Sequence, residues 1–389
     1  MTYSERVADI QRSQHAKRTV SVASSTRKQD SEAHKPCVYV GMSGGVDSSV
    51  TAALLKEHGY KVVGVFMKNW SKDLPGFPCP WKEDYQDAKR VAVQLGIDFK
   101  MYDFETQYRQ KVVDYMINEY QAGRTPNPDI VCNQEVKFKL FLDAALGDGA
   151  DLIATGHYAK VSKRQKAKGK KGTAELQKAK DDNKDQTYFL YRVTEAALEK
   201  TLFPLGDYTK PEVRKLAKKF GLVTAGKKES MGICFVGKVG IKEFLQQYVK
   251  TEPGVIKDQN GVTIGEHDGA IFYTIGQRHG MNVGGGLPFY VTGKDMDKNE
   301  VYVTSDIADK NLWSKAIKLT STHWINGAPE SGRTYRVRTR HRAPLVEATL
   351  ISAEPNAQLE LKDEIRALTP GQSAVLYDGD RVLGGGIVI

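Results

Sequence analysis

No apolar run in this sequence approaches the roughly 18 residues needed to cross a bilayer, which argues against a membrane-embedded role or a membrane partner. Cysteine is also scarce, with four in 389 residues, and no two of them form a C-x-x-C pair. This spacing does not support a zinc ribbon or an iron–sulfur site. Few, widely spread cysteines in a large chain are typical of a reducing compartment, where thiols carry chemistry rather than structural cross-links.

Acidic residues are outnumbered by basic ones, 47 against 57, which gives a formal net charge of +10. Such an excess favours a polyanionic partner such as nucleic acid, although many basic proteins bind none. A chain of 389 residues is expected to contain two or three domains, because one hydrophobic core rarely extends beyond about 250–300 residues. No internal repeat is evident.

Residues 1–35 lack the hydrophobic periodicity of the rest of the chain and carry several arginines and lysines among serines. This composition is typical of a mitochondrial targeting segment, although Glu5 and Asp9 are unusual in one. We therefore predict a mitochondrial protein, with the cytoplasm as the alternative. A plain disordered tail is the other interpretation of the segment.

Strand-like and helix-like patterns alternate after this extension. A β-rich run at residues 38–40, a helical pattern at 48–59 and a second β-rich run at 62–66 form a βαβ unit. The alternation continues to about residue 154, with helical patterns at 85–95 and 108–120. It predicts an α/β domain with a parallel sheet and helices on both faces.

The sequence pattern changes in the second half of the chain. Residues 160–180 are crowded with lysine and predict an exposed insertion, more often a solvated loop than an RNA contact. From about residue 262, short β-rich runs alternate with turn residues, which predicts a small C-terminal β-barrel. The expected divisions are an N-terminal extension at 1–35, a catalytic domain at 36–235, a small central domain at 236–288 and the barrel at 289–389.

A glycine-rich loop follows the first predicted strand. Glycines let the backbone approach a pyrophosphate, and the N-terminus of the next helix adds partial positive charge. No G-K-[ST] follows, so this is not a Walker loop; it resembles the S-G-G-x-D-S loop of the ATP pyrophosphatase family. Members of that family cleave ATP between its α- and β-phosphates and adenylate an oxygen. The loop comprises Gly41, Met42, Ser43, Gly44, Gly45, Val46, Asp47 and Ser48.

Two cysteines lie in settings that suggest chemistry. Cys132 follows a turn-rich segment and precedes a helical pattern, and a helix N-terminus lowers the pKa of a thiol. Asp129 lies three residues earlier and could face the same space as a general base. Cys234 follows Lys227 and Lys228, whose charge could stabilise a thiolate or a persulfide. A disulfide between two cysteines so far apart cannot be inferred from spacing. Two such thiols in a chain with an ATP loop suggest sulfur transfer.

From residue 36 onward the sequence resembles the tRNA-specific 2-thiouridylases. The matching stretches are GMSGGVDSSV, GVFMKNW, GRTPNPDIVCN, ATGHYA, KDQTYFL, ESMGICFVG, TIGQRHG, TPGQSAVLY and GGGIV. The resemblance implies that the loop at 41–48 binds ATP, with Met67 and Gly156 lining the adenosine site, and that Cys234 carries sulfur as a persulfide. It also implies that Cys132 forms a disulfide with Cys234 during turnover. The residues it implies at the target base are Asn127, Pro128 and Asp129, and those elsewhere on tRNA are His157, Lys184, Asp185, Gln186, Arg340, His341 and Gln372.

Some positions of this chain depart from the family pattern or have no role in it. Many relatives have Arg-Tyr where this chain has Arg340-His341, so a tyrosine for stacking on the RNA is absent there. Arg338, Arg340 and Arg342 are expected on one strand with His341, which would place cations on one face of the barrel. Cys37 and Cys79 match no catalytic position and are interpreted as structural.

The predicted function is ATP-dependent 2-thiolation of the wobble uridine of tRNA, by adenylation of O2 and sulfur transfer from a persulfide. It implies ATP, Mg²⁺, a sulfur donor or relay protein and a thiol reductant. An adenylating ligase for another substrate is one alternative, but it leaves Cys132 and Cys234 without a role. A non-catalytic RNA-binding protein is another, but it leaves the Asp129–Cys132 arrangement unexplained.

We expect a fluorescent protein fused to residues 1–35 to enter mitochondria, because basic, serine-rich segments of this kind are import signals. Microscopy against a mitochondrial stain measures this. A matched fusion with Arg6, Arg12, Lys17 and Arg18 changed to glutamine should stay in the cytosol. A parent fusion that also stays there contradicts the targeting prediction.

Overall fold

The computed structural model describes residues 35–73, 79–164, 173–228, 240–281, 283 and 288–389, and every structural statement below concerns these residues. Five strands form a parallel sheet in the order β3-β2-β1-β4-β7. The first is buried along its whole length, as its run of apolar residues requires. The strands of this half of the chain are β1 (Cys37–Gly41), β2 (Lys61–Lys68), β3 (Asp98–Asp103), β4 (Leu152–Thr155), β5 (Lys160–Arg164), β6 (Thr173–Gln177) and β7 (Thr201–Leu202).

Helices cover both faces of the parallel sheet. Successive side chains of a strand point to opposite faces, so Val38 and Val40 pack with α1, α2 and α8 while Tyr39 packs with α3 to α6. π-Helical turns at Arg109–Val113 and Cys132–Leu140 join α3 to α4 and α5 to α6. The α-helices are α1 (Val46–Glu57), α2 (Trp81–Leu95), α3 (Glu105–Tyr108), α4 (Asp114–Gln121), α5 (Pro128–Val131), α6 (Phe141–Gly147), α7 (Glu195–Glu199), α8 (Lys210–Lys219) and α9 (Ile241–Leu245).

The predicted α/β pattern of helices and strands is confirmed, although some elements begin at a slightly different residue than expected. The first helix starts at Val46 rather than Ser48, because Gly45 has the extended conformation of an N-cap residue. The helix expected to end at Gly96 does so, with that glycine in the left-handed conformation at φ +56°.

Strands β5 and β6 correct the expectation that residues 160–180 form an exposed insertion. They pair as an antiparallel hairpin, and β6 also pairs with β17 of the C-terminal barrel through Gln177 and Arg381. Val161, Ala174 and Leu176 are buried. The lysine-rich composition concealed this because the apolar residues of the two strands are few and lie at alternate positions. The tip at 165–172 lies outside the described residues.

A separate four-stranded sheet occupies the middle of the chain, in the order β10-β11-β8-β9. Its strands are β8 (Gly254–Lys257), β9 (Thr263–His267), β10 (Tyr290–Asp295) and β11 (Glu300–Thr304). The β-rich runs expected near residues 290 and 302 are therefore strands, but they pair with residues 254–267 rather than with the barrel. A division drawn from sheet pairing would fall near residue 305, and the boundaries expected from sequence remain a proposal.

The C-terminal β-barrel is confirmed. Its six strands follow the order β12-β15-β14-β13-β16-β17, and pairing of β12 with β17 closes the ring. Closure brings backbones close together: a Cβ on Gly385 would lie 2.2 Å from the carbonyl oxygen of Ala374. The strands are β12 (Trp313–Trp324), β13 (Thr334–Arg338), β14 (Val346–Ser352), β15 (Ala357–Arg366), β16 (Ser373–Asp378) and β17 (Arg381–Val388).

Short 3₁₀ turns at Thr187–Phe189, Ala270–Phe272 and Lys310–Leu312 complete the described secondary structure. Across the described ranges, no helix combines the length and the apolar character needed to cross a membrane.

We expect Leu176→Ala to lower the free energy of unfolding by about 2–5 kcal/mol, because the side chain is buried where the hairpin meets the catalytic core. Chemical denaturation followed by circular dichroism measures it. Arg164→Ala, on the exposed end of β5, is the matched control and should change stability by less than about 0.5 kcal/mol. Equal stabilities of the two variants would show that the hairpin is not packed as described.

Candidate active site

The glycine-rich loop begins where β1 ends, at the carboxyl edge of the parallel sheet. Gly41 is paired with Val65 of β2 on one side and with Thr155 of β4 on the other. Because all three strands run in the same direction, the residues that follow them emerge at one edge. Met67 and Gly156 follow those two pairing positions, so the structure brings the residues expected around ATP together.

Hydrogen bonds among serines fix the shape of the loop. The Oγ atom of Ser48 accepts from the backbone N–H of Ser43 at 3.1 Å and donates to the carbonyl of Gly45 at 3.2 Å. Gly44 has φ +73°, and a Cβ there would lie 2.3 Å from the carbonyl oxygen of Asp84. No side chain caps the start of α1 at Gly45, so the first turn of the helix presents its N–H groups to an anion.

The glycines at the edge of the sheet permit close packing around the loop. A Cβ on Gly156 would lie 2.8 Å from the backbone nitrogen of Ser48, which leaves no room for a larger residue against the start of α1. A Cβ on Gly41 would lie 3.0 Å from the Cε atom of Met67. Both residues expected at the adenosine therefore contact the loop.

Asp47, in the first turn of α1, makes contacts that the sequence did not reveal. The Lys210 ammonium donates to both of its carboxylate oxygens, at 2.7 and 2.8 Å, and the Tyr158 hydroxyl donates to Oδ1 at 3.0 Å. A Thr-x-x-Glu capping box with Thr209 and Glu212 marks the start of α8 in the sequence. That signal locates Lys210 at a helix start, but nothing local to it identifies its partner.

The helix that carries the first thiol starts at the residues expected to face the target base. Asn127 has the N-cap position, Pro128 is the first helical residue and Asp129 lies in the first turn. Cys132 follows one turn later and is only 1% exposed, while Asp129 is partly exposed. The expected position of Cys132 near a helix N-terminus is confirmed, and residues three apart share one side of a helix.

The same helix reaches the ATP loop. Phe141, at the start of α6, lies 3.6 Å from the position of a Cβ on Gly41. The Cys132 helix and the loop therefore pack on each other across the end of β1. Cys234 lies at 229–239, outside the described residues, so its distance from Cys132 stays a prediction.

The remaining two cysteines are consistent with the structural interpretation. Burial raises the pKa of the Cys37 thiol and of the Cys79 thiol. A thiol with a raised pKa stays protonated near neutral pH and is a poor nucleophile.

The backbone just before Asn127 is held by the two C-terminal units. The Thr125 N–H donates to the Pro370 carbonyl at 2.9 Å, and the Gln372 amide donates to the Thr125 carbonyl at 2.8 Å. The Thr125 hydroxyl lies 3.1 Å from that of Thr274 in the central unit. Gln372, expected to touch tRNA, therefore holds the segment that leads to the base-facing residues.

Several other residues expected to contact tRNA make internal contacts. Asp185 is 1% exposed and accepts hydrogen bonds from Thr187 and Arg338, the latter at 3.2 Å. His157 is buried, its Nδ1 lies 2.7 Å from the Thr155 hydroxyl, and burial holds its pKa well below the ordinary value. The side chain of Gln186 accepts from the Tyr158 N–H at 2.9 Å. Lys184, beside them, is partly exposed. The contacts of these residues with tRNA remain predictions.

The expectation that Arg338, Arg340 and Arg342 share a strand is wrong. Strand β13 ends at Arg338, whose side chain faces inward to Asp185. Arg340 donates to the carbonyls of Ile275 and Ala367, and Arg342 has φ +63°, which no strand residue adopts. The alternating arginines were interpreted as one strand, but the chain turns after Arg338 instead.

His341 stacks beside Phe189, with ring centroids 4.6 Å apart. Burial, with the charges of Arg342 and Arg338 nearby, lowers its pKa to about 4. The ring is therefore neutral at physiological pH and offers an aromatic surface.

A cavity of about 400 Å³ opens between the Cys132 helix and the barrel. Asn127 and Ile130 line it from the helix, and Ser373 and Ile387 line it from the barrel. Tyr115 and Arg192 supply a ring and a guanidinium of the kind on which bases stack, whereas the Tyr191 ring that also lines the cavity is fully buried. Within the ranges that the structure describes, no three His, Cys, Asp or Glu residues are grouped as metal ligands.

Three family profiles match the chain in succession. One described as "tRNA methyl transferase HUP domain" matches residues 36–238. One described as "tRNA methyl transferase PRC-barrel domain" matches 242–305, and one described as "Aminomethyltransferase beta-barrel domain" matches 314–388.

Relatives match over nearly the whole chain. The protein of Geobacillus kaustophilus named tRNA-specific 2-thiouridylase MnmA 2 is 47% identical over 358 residues, which cover 91% of this chain and 95% of the relative. The tRNA-specific 2-thiouridylase MnmA of Paraburkholderia phymatum is 48% identical over 366 residues, covering 91% and 94%. The solved NH3-dependent NAD synthetase of Campylobacter jejuni is similar with a TM-score of 0.32 and 17% identity, over 57% of this chain and 75% of that one.

We expect Gln372→Ala to lower turnover about 10-fold while tRNA affinity changes by less than about 3-fold, because the segment before Asn127 loses a hydrogen bond that positions it. Initial rates at varied tRNA concentration and a filter-binding assay measure the two effects. Gln358→Ala, on the exposed side of β15, should leave both unchanged. A loss of affinity with unchanged turnover at saturating tRNA would make Gln372 an RNA contact instead.

Proposed function

The chain belongs to the tRNA-specific 2-thiouridylase family, and from that premise we propose that it thiolates the 2-position of the wobble uridine through an ATP-activated intermediate. Membership makes it a tRNA sulfurtransferase. The choice of the wobble base, the adenylation and the persulfide are the parts that we propose.

One observation carries the proposal: the continuous helical segment that contains Asp129 and Cys132 packs, through Phe141, on the end of β1, where the glycine-rich loop begins. An anion-binding helix start and the helical segment that carries a buried thiol thus meet at one strand end. A ligase that adenylates its substrate would need the first and not the second.

Adenylation is the first proposed step. The uridine O2 attacks the α-phosphorus of ATP, the bond from that phosphorus to the bridging oxygen breaks, and pyrophosphate leaves. Asp129 would accept the N3 proton of the base, and the N–H groups at the start of α1 would stabilise the charge on the pyrophosphate. The oxygen at C2 becomes part of AMP and can then leave.

Mg²⁺ fits this site by the chemistry of its donors. The ion binds proteins through one or two carboxylates and takes its other ligands from phosphates and water, and Asp47 supplies such a carboxylate in the first turn of α1. When bound, it would neutralise charge on the phosphates.

Sulfur transfer is the second proposed step. The outer sulfur of a Cys234 persulfide attacks C2, AMP departs, and the Cys132 thiolate attacks the inner sulfur of Cys234. The bond between the two sulfurs of the persulfide breaks, leaving the thiocarbonyl and a Cys132–Cys234 disulfide. Alternatively, Cys132 first releases hydrosulfide, which attacks C2. Both routes use two thiols to reduce one sulfur, so an external thiol reductant must restore them.

Recognition of the tRNA would use the basic balance of the chain and the cavity beside Asn127. Phosphate contacts supply affinity, and a splayed-out base can stack on Tyr115 and Arg192 of that cavity. The neutral ring pair of Phe189 and His341 offers a second aromatic surface. The identity of the sulfur donor is not part of the proposal.

The compartment remains a choice between the mitochondrion and the cytoplasm. The relatives named above come from bacteria. The targeting segment at 1–35 falls almost entirely outside the described residues, and its role stays a prediction.

We expect Cys234→Ser to remove the persulfide and Cys132→Ser to block turnover while Cys234 can still be loaded, because one thiol carries the sulfur and the other resolves it. Thiolated uridine per enzyme and mass spectrometry of the trapped persulfide measure this.

Both variants should still release pyrophosphate from ATP with tRNA, since adenylation precedes sulfur transfer. Cys37→Ser and Cys79→Ser are the matched controls and should thiolate normally. Normal thiolation by both Cys132→Ser and Cys234→Ser would refute the route through two thiols, because sulfur would then reach the uridine without these cysteines.

A further inference from the structure

Lys210 contacts the phosphate loop through Asp47, and neither the sequence nor the family resemblance assigns it a role. Its ammonium donates to both oxygens of Asp47, and its side chain is 11% exposed against 33% for that of Asp47. It also lies 5.8 Å from the ring centroid of Tyr158, whose hydroxyl bonds the same carboxylate. The lysine is therefore held behind the start of α1, and the carboxylate is the more accessible partner.

The electrostatics of this position are unfavourable for a cation. Lys210 is the first residue of α8, and its ammonium meets the first turn of α1, so it lies at the positive ends of two helices. The buried ion pair with Asp47 offsets that cost, but such pairs contribute little net stability compared with apolar packing. A stabilising role alone therefore does not account for a lysine here.

The Lys210 ammonium and the helix start beside it together favour binding of a highly charged anion. The start of α1 and the Lys210 ammonium lie at one carboxylate, so the local charge is positive once Asp47 turns to a divalent cation. The backbone of Lys210 is fixed as well, since its N–H donates to Asp181 at 2.8 Å. The ammonium can therefore stay at the loop when Asp47 exchanges its partner.

We propose that Lys210 binds the β- and γ-phosphates of ATP and then the departing pyrophosphate. This assignment rests on the proposed adenylation and extends it to a residue 163 positions from the loop. The phosphate oxygens would accept the hydrogen bonds that the Lys210 ammonium otherwise donates to Asp47, and the Asp47 carboxylate would then bind the metal. Lys210 thus contributes to leaving-group stabilisation rather than to recognition of the adenosine.

The test compares the binding of the two products of ATP cleavage by the full chain. Isothermal titration gives the affinities for magnesium pyrophosphate and for AMP. In Lys210→Gln, pyrophosphate affinity should fall about 10-fold or more and AMP affinity less than about 2-fold, since a hydrogen bond to a charged group contributes about 1.5–3 kcal/mol. Lys210→Arg should stay within about 3-fold of the parent, and Lys215→Gln, exposed on the same helix, should match it.

Loss of both affinities together would show that Lys210 only maintains the shape of the loop, and an unchanged pyrophosphate affinity would show that it does not contact the phosphates. If Lys210→Gln fails to fold, Asp47→Asn is compared with Asp47→Asn/Lys210→Gln, in which no unpaired charge is buried. The double variant should bind pyrophosphate about 10-fold more weakly than the single one; equal binding refutes the assignment. A parent enzyme that binds neither product, and releases no pyrophosphate with tRNA, would instead refute the proposed ATP chemistry.

Discussion

Parallel pairing of β1 with a neighbour on each side is the constraint on which the site depends. The register that sets Gly41 opposite Val65 and Thr155 brings the loop, Met67 and Gly156 to one edge of the sheet. A shift of one residue would turn Tyr39 into the face occupied by Val38 and Val40, and both cores would lose their packing. Burial on the two faces of this strand therefore fixes the geometry of the proposed phosphate site.

Contacts between the catalytic half and the C-terminal units serve a second purpose, because they hold the segment that leads to Cys132. The Gln372–Thr125 hydrogen bond acts at one end of it. A second contact between the two halves is the ion pair of Asp185 and Arg338, in which both side chains are nearly inaccessible to water. Breaking such a pair costs about 3–5 kcal/mol. The barrel is therefore part of the support for the proposed active site as well as a candidate RNA-binding surface.

Local patterns in the sequence were sufficient for the parts of the site that are contiguous. The glycine loop between a strand and a helix is a signal within a few residues, and the structure has it there. The helical pattern near Cys132 was expected after the cysteine, but the helix starts at Pro128, within the segment interpreted as turn-rich. Lys210 was missed because its partner lies 163 residues away and pairing at that distance leaves no local pattern. The β5–β6 hairpin was mistaken for a loop because lysines mask an alternation of only a few apolar residues. Arg340 and Arg342 were placed on a strand because charge spacing alone does not show where a strand ends.

The β5–β6 hairpin also bears on how such proteins can diversify. The hairpin lies between β4 and β7 of the catalytic half in the sequence. Its second strand, β6, nevertheless pairs with β17 and extends the sheet that contains the barrel. A barrel exchanged between relatives would meet a foreign hairpin and a foreign partner for Arg338. The barrel and the catalytic half are therefore not interchangeable modules, and changes in one are expected to be inherited together with compensating changes in the other.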